Sequence, residues 1–200
     1  MRGLAVQLGV VPMALYKHVA NKDDLLGGMV DTIIDEYGPP EGGPGWQAQV
    51  RDLILSARTV LLRHPWARGV IESRSSRSLT VLTYLDSVAG AFIADGVSAE
   101  LTHHAMHALG HRVWGFSPEA FEESNPTQMP VDPQAQQQMV ERMQEILPNI
   151  AAIAVASGGG DLNGISGSCD EQFEFEFALD LLLDAIGRLH AGGWVSPRRR

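Results

Sequence analysis

The sequence predicts an all-α protein. Apolar side chains recur at three- and four-residue intervals over most of its 200 residues, the signature of one buried helix face. No stretch alternates with period two between hairpin turns. The densest Gly and Pro clusters, at Gly38–Gly45, Phe116–Asp132 and Ser157–Ser168, fall between the periodic runs.

Taken in order, Gly3 to Leu8 reads as a short helix with Leu4, Ala5 and Leu8 on one face. Gly9 supplies the left-handed residue that ends it, and Val10 is expected to plug toward the core. Pro12 opens the next helix, where its missing N–H costs nothing, and that helix runs to Val19 with Leu15 and Val19 inward. Asn21 caps a third helix that carries Asp23 and Asp24 in its first turn. Gly38 to Gly45 is a breaker run that joins residues 1–37 to a second region, 46–195. Helical faces follow at Val50, Leu53, Ile54, Ala57, Val60 and Leu61, then at Leu79, Leu82, Leu85, Val88 and Phe92. Two more lie at Leu101, Ala105, Leu109, Val113 and Phe116, and at Val140, Met143 and Ile146. Pro-rich (Phe116 to Asp132) and Gly-rich (Ser157 to Ser168) gaps interrupt them, and a strongly apolar helix spans Glu171 to His190. The expected total is eight or nine helices.

Composition excludes several classes. The single cysteine, Cys169, rules out an intramolecular disulfide framework and fits a reducing, cytoplasmic setting. The net charge of −9 rules out coating of nucleic acid by bulk charge, though not a small DNA-reading module. No run approaches the ~20 apolar residues of a membrane span, so no membrane partner is expected. A basic start and apolar run at the N-terminus imitate a secretory signal, but Gln7 and Pro12 interrupt it. Lys17, His18 and Lys22 then stand where a cleavage site belongs. No Ser/His/Asp arrangement or Gly-rich phosphate loop is present, so neither enzyme activity nor a cofactor is expected.

Helix, tight Gly turn, helix in under twenty residues is the helix-turn-helix arrangement, whose second helix enters the major groove. The elements Leu4-Ala5, Leu8-Gly9-Val10, Leu15-Tyr16, His18-Val19, Asn21-Lys22 and Leu25-Leu26 together resemble the DNA-binding segment of the tetracycline-repressor family. The remainder, with Trp46, His64-Pro65-Trp66 and the Phe/Leu-rich last helix, is similar to that family's helical C-terminal domains. The resemblance implies an N-terminal helix-turn-helix joined to a larger ligand-binding and dimerisation domain. It implies a ligand-responsive regulator, a repressor, that binds a palindromic double-stranded operator as a homodimer. The recognition helix would start at Pro12; Tyr16 and Lys22 would contact phosphates, and Arg2, Met13, Ala14, Lys17 and His18 would face bases or backbone. Lys17 and Arg2 suit guanine acceptors or phosphate, and Ala14 or Met13 a thymine methyl. The family places a further helix before this motif, whereas the chain begins inside the motif's first helix. The expectation is either more sequence upstream of Met1 or a truncated product with a frayed N-terminus and weakened operator binding.

The larger region is less specific. His64, Trp66, Tyr84, Phe92, Met106 and Trp114 are the candidates for lining a pocket for a small hydrophobic effector. Phe173, Phe177 and Leu181 on the last helix offer more apolar surface than one domain hides and are expected at a dimer interface. His103, His104, His107 and His111 crowd one helix at i, i+4 spacings that can bind metal. A hydrogen-bonding or pH-sensitive polar face accounts for them as well, and no metal is assigned. Two alternatives stay open: a small-molecule-binding dimer with impaired DNA binding, and a metal protein or enzyme built on the histidine helix.

Overall fold

A computed structural model describes residues 1–41, 43–73, 77–114, 133–157 and 170–197, and among these residues it contains ten α-helices and no strand. Phe116, and the side chains of Trp114, Val140 and Met143, lie outside the described residues. Contacts divide the chain into two units, Met1–Trp114 with Asp180–Arg200, and Gly115–Leu179.

In the first unit, α1 (Arg2–Gln7) packs on α2 (Pro12–Leu15), and α3 (Lys22–Asp35) follows. α2 is shorter than its sequence suggests: past Leu15 the chain continues in turns, with the amides of His18 and Val19 both donating to the Leu15 carbonyl. Leu8 and Val10, expected inward, are exposed, 59% and 42%. The turn between α1 and α2 is held by backbone hydrogen bonds rather than by buried side chains, with Gly9 at φ 66°. Asn21 caps α3 as expected: its side chain accepts from the Asp24 amide at 2.9 Å, and Asp24 accepts from the Ala20 amide at 2.8 Å.

α3 packs against α4 (Trp46–Arg63), α5 (Trp66–Glu72) and α6 (Leu79–Ala94), and α6 also packs against α7 (Ala99–Trp114). Val50, Leu53, Ile54, Ala57 and Val60 of α4 form the core with Val88, Ala91 and Phe92 of α6 and Leu101, Ala105 and Leu109 of α7. Trp46 tilts onto Phe92 with ring centroids 4.8 Å apart. Ile33 of α3 joins Val60 and Ala67 in a buried cluster flanked by Tyr37 and Leu61, so the helix-turn-helix segment is anchored through its third helix. Gly45, at φ 104°, turns the chain into α4 so that the Trp46 amide donates to Asp95 at 2.6 Å. The breaker run is thereby tied down. Gly38 donates to the Ser56 hydroxyl and Glu41 to the Asp52 carboxylate.

In the second unit, α8 (Pro133–Ile146) packs on α9 (Pro148–Ser157). Pro148 forces the break between them, because it lacks a donor and bars helical backbone at the residue before it. This unforeseen division contributes to a count above the eight or nine expected. α10 (Glu171–Ala191), which belongs to the first unit from Asp180 on, is capped by Asp170, whose carboxylate accepts from the amides of Gln172 and Phe173. Acidic residues in its first turn and Arg188 and His190 in its last suit the helix dipole.

Candidate functional site

The candidate DNA-reading surface is assembled from α1, α2 and the start of α3. Val11 holds extended backbone at the cap of α2, and Pro12 takes the first turn. Of the residues proposed from the sequence, Arg2, Pro12, Met13, Tyr16, Lys17, His18 and Lys22 are exposed, and Ala14 is half-buried. Met13 is 72% exposed, a large apolar side chain left on the surface by a helix of only four residues. Arg2, Lys17 and Lys22 form no ion pair among the described residues, so their charges are available to a partner.

A second candidate site lies deeper in the first unit. Ile54 and Ala57 of α4, Tyr84 and Val88 of α6, and Met106, Leu109 and Val113 of α7 surround an apolar cavity of about 60 Å³. Among the described lining residues the one hydroxyl is that of Tyr84, which donates to the Leu53 carbonyl at 3.2 Å. The Tyr84 ring meets Tyr37 edge-on at 5.0 Å, and the Tyr37 hydroxyl is buried with no hydrogen-bond partner among the described residues. Burial pushes the Tyr37 phenol up from 10.0 to about 12, and pushes Tyr84 up further, with the neighbouring Tyr37 adding to the shift.

The sequence-derived pocket set is therefore only partly brought together. Tyr84 and Met106 line the cavity. Phe92 does not: it is fully buried against Trp46, because a large aromatic at the centre of α6 is consumed by the core. His64 and Trp66 do not line it either. His64 ends α4 with its Nε2 3.4 Å from Glu36, which Arg63 also approaches at 3.1 Å, and Trp66 is 44% exposed at the start of α5. The Trp114 side chain lies outside the described residues. Ile54, Ala57, Leu109 and Val113 were legible only as core residues, since a side chain facing a cavity keeps the same helical period as one facing another side chain.

The proposed interface residues Phe173, Phe177 and Leu181 follow one another at four-residue intervals along α10 and are 61%, 53% and 53% exposed. Phe173 and Phe177 stack at 6.2 Å. His103, His104, His107 and His111 all stand exposed on α7.

Comparison with known proteins places these features among relatives. The family described as "Tetracyclin repressor-like, C-terminal domain" matches residues 39–189. An HTH-type transcriptional regulator of Saccharopolyspora erythraea is 35% identical over 97 residues, 48% of this chain and 41% of the relative, so the match spans less than half of that protein. A possible TetR family transcriptional regulator of Streptomyces coelicolor A3(2) shares the fold with a TM-score of 0.66 at 22% identity, over 94% of this chain and 88% of that one. The S. coelicolor TetR family protein ActR, solved in complex with actinorhodin, gives 0.62 at 24% identity, over 93% and 85%.

Proposed function

The chain belongs to the tetracycline repressor-like family, and from that membership we propose that it is a ligand-controlled transcriptional regulator, a repressor that binds a palindromic DNA operator as a homodimer. The observation that carries this reading is the family match over residues 39–189 behind a helix-turn-helix that leaves Met13, Tyr16 and Lys17 exposed. In this reading α2, from Pro12, lies in the major groove. Tyr16 and Lys22 hold phosphates, and Arg2, Met13, Ala14, Lys17 and His18 meet base edges or backbone, each good base contact worth roughly 1–3 kcal/mol of discrimination. Phe173, Phe177 and Leu181 of α10 pack against a second copy, with α7 completing a four-helix interface. A twofold dimer presents two reading helices, hence the palindrome.

The effector in this proposal is a small hydrophobic molecule that enters between α4, α6 and α7. The cavity there holds about 60 Å³, well below the roughly 300–1,000 Å³ of a drug-sized site, so the effector separates these helices as it binds. The solved complex of ActR with actinorhodin supports a helical domain of this fold as a place for a small molecule. Tyr84, on the cavity wall, touches Tyr37, two residues beyond the end of α3, which gives the displacement a path toward the reading helices. The effector acts by its differential affinity for two spacings of those helices, and a full switch takes about 5.5 kcal/mol. The protein works in the cytoplasm as a regulator rather than an enzyme and needs no cofactor or membrane.

The direct test is selection from a pool of random DNA duplexes by the full chain. Enrichment of one approximately palindromic sequence is expected. Recovery of duplexes with no common sequence would overturn the operator-binding reading in favour of a small-molecule-binding dimer.

A further inference from the structure

Helices α3 and α6 meet through side chains at two levels. The Ser78 hydroxyl donates to the Asp31 carboxylate at 2.5 Å, within the range of a charge-assisted bond. Farther along, Tyr84 meets Tyr37 edge-on at 5.0 Å. Each pair is separated by 47 positions in the chain, so the two segments run alongside each other in the same direction. Six residues divide the two levels on both segments, roughly 9 Å of helix. Asp31 does not help its own helix, since aspartate is a poor helix former, and the one partner of its carboxylate among the described residues is Ser78. Ser78 serves two purposes with one oxygen, because it also caps α6 by accepting from the Val81 amide at 3.3 Å. The start of α6 therefore cannot shift without pulling on Asp31.

The two levels differ in what lies behind them. Tyr84 stands on the wall of the apolar cavity, whereas Ser78 does not line it. Opening the cavity moves the Tyr84 level and leaves the Ser78 level held by a hydrogen bond, which fixes direction as well as distance. We propose, resting on the effector reading above, that the Asp31–Ser78 hydrogen bond is the fulcrum on which α3 turns, with Asp31 and Ser78 the positioning residues of the switch. From Asp31 the arm toward Tyr37 spans six residues. The arm toward Asn21, which leads into α2, spans ten, roughly 15 Å. A push at Tyr37 thus reappears at Asn21 reversed and enlarged about 1.7-fold.

The test reads the distance between spin labels at Gln7 of α1 and Thr59 of α4, both exposed, in the full chain carrying Cys169→Ser and diluted with unlabelled chain. Ala57→Leu pushes a larger side chain into the cavity and stands in for the effector. It should shift the distance by a few Å, and adding Asp31→Ala should replace that shift with a broad distribution. Ser78→Asp keeps an acceptor at the cap but sets two carboxylates face to face, and should broaden the distribution with the cavity unfilled. The swapped pair D31S/S78D again sets a hydroxyl opposite a carboxylate and should restore the narrow distance. Asp31→Ala and Ser78→Asp should each weaken binding to the duplex enriched from the random pool roughly tenfold, and the swap should recover it. Lowered thermal melting with an unchanged distance in both single variants would mark a contact that only stabilises and would overturn the proposal. A swap that folds but stays broad, no shift in Ala57→Leu, or a shift that survives Asp31→Ala would do the same. If no duplex is enriched, the operator reading fails, and the distances alone decide the fulcrum.

Discussion

The Tyr37 hydroxyl is buried without a partner, and this determines how the side chain responds to substitution and to pH. Tyr37→Phe removes an unsatisfied polar group, so it should leave stability unchanged or raise it slightly, unlike most core changes. The phenol is raised to about 12 in the fold against about 10 in the unfolded chain. Its contribution is therefore complete below about pH 10 and lost as pH rises from there through 12. Thermal melts across that alkaline range should fall less steeply in Tyr37→Phe than in the unmutated protein. At the proposed reading surface, Lys17→Ala should weaken operator binding and, where Lys17 holds a phosphate, lower the salt slope of log K by about 1. Fluorescence anisotropy of a labelled duplex over a salt series measures both.

At the level of elements, legibility followed how local the cause was. Gly9, Pro12 and Asn21 act through their own backbone or a neighbour three residues away, so the turn, the first turn of α2 and the cap of α3 could be read from the sequence. The early end of α2 and the exposure of Leu8 and Val10 could not, because apolar spacing states what can be buried and not whether another element covers it. Phe92 and Ile54 changed roles between pocket and core for the same reason. The cap gives a clean element-scale prediction. Asn21→Ala removes the acceptor of the Asp24 amide and should destabilise the protein by about 1 kcal/mol, read by urea denaturation. Because α3 also rests on α4, α5 and α6, the loss should register in the main unfolding transition and not only as local fraying.

At the scale of the whole molecule, the exposed Phe173, Phe177 and Leu181 make assembly the main open surface question. Phe177→Asp should convert the proposed dimer to monomer in sedimentation velocity and, with one reading helix per particle, weaken operator binding steeply. The net charge of −9 works against DNA binding by bulk charge, so the proposed operator contact rests on local cations such as Arg2, Lys17 and Lys22. Affinity should therefore fall steeply with salt while remaining confined to a short footprint.

The joint between α3 and α4 has a consequence for protein engineering. It reads as a separable seam, yet its amides at Gly38, Glu41 and Trp46 are committed to Ser56, Asp52 and Asp95. A chimera spliced just after Trp46 would carry these three amides over without the acceptors that splint them. Under the proposed function, such a graft would still recognise its operator but no longer respond to an effector, unless Ser56, Asp52 and Asp95 were transplanted with it.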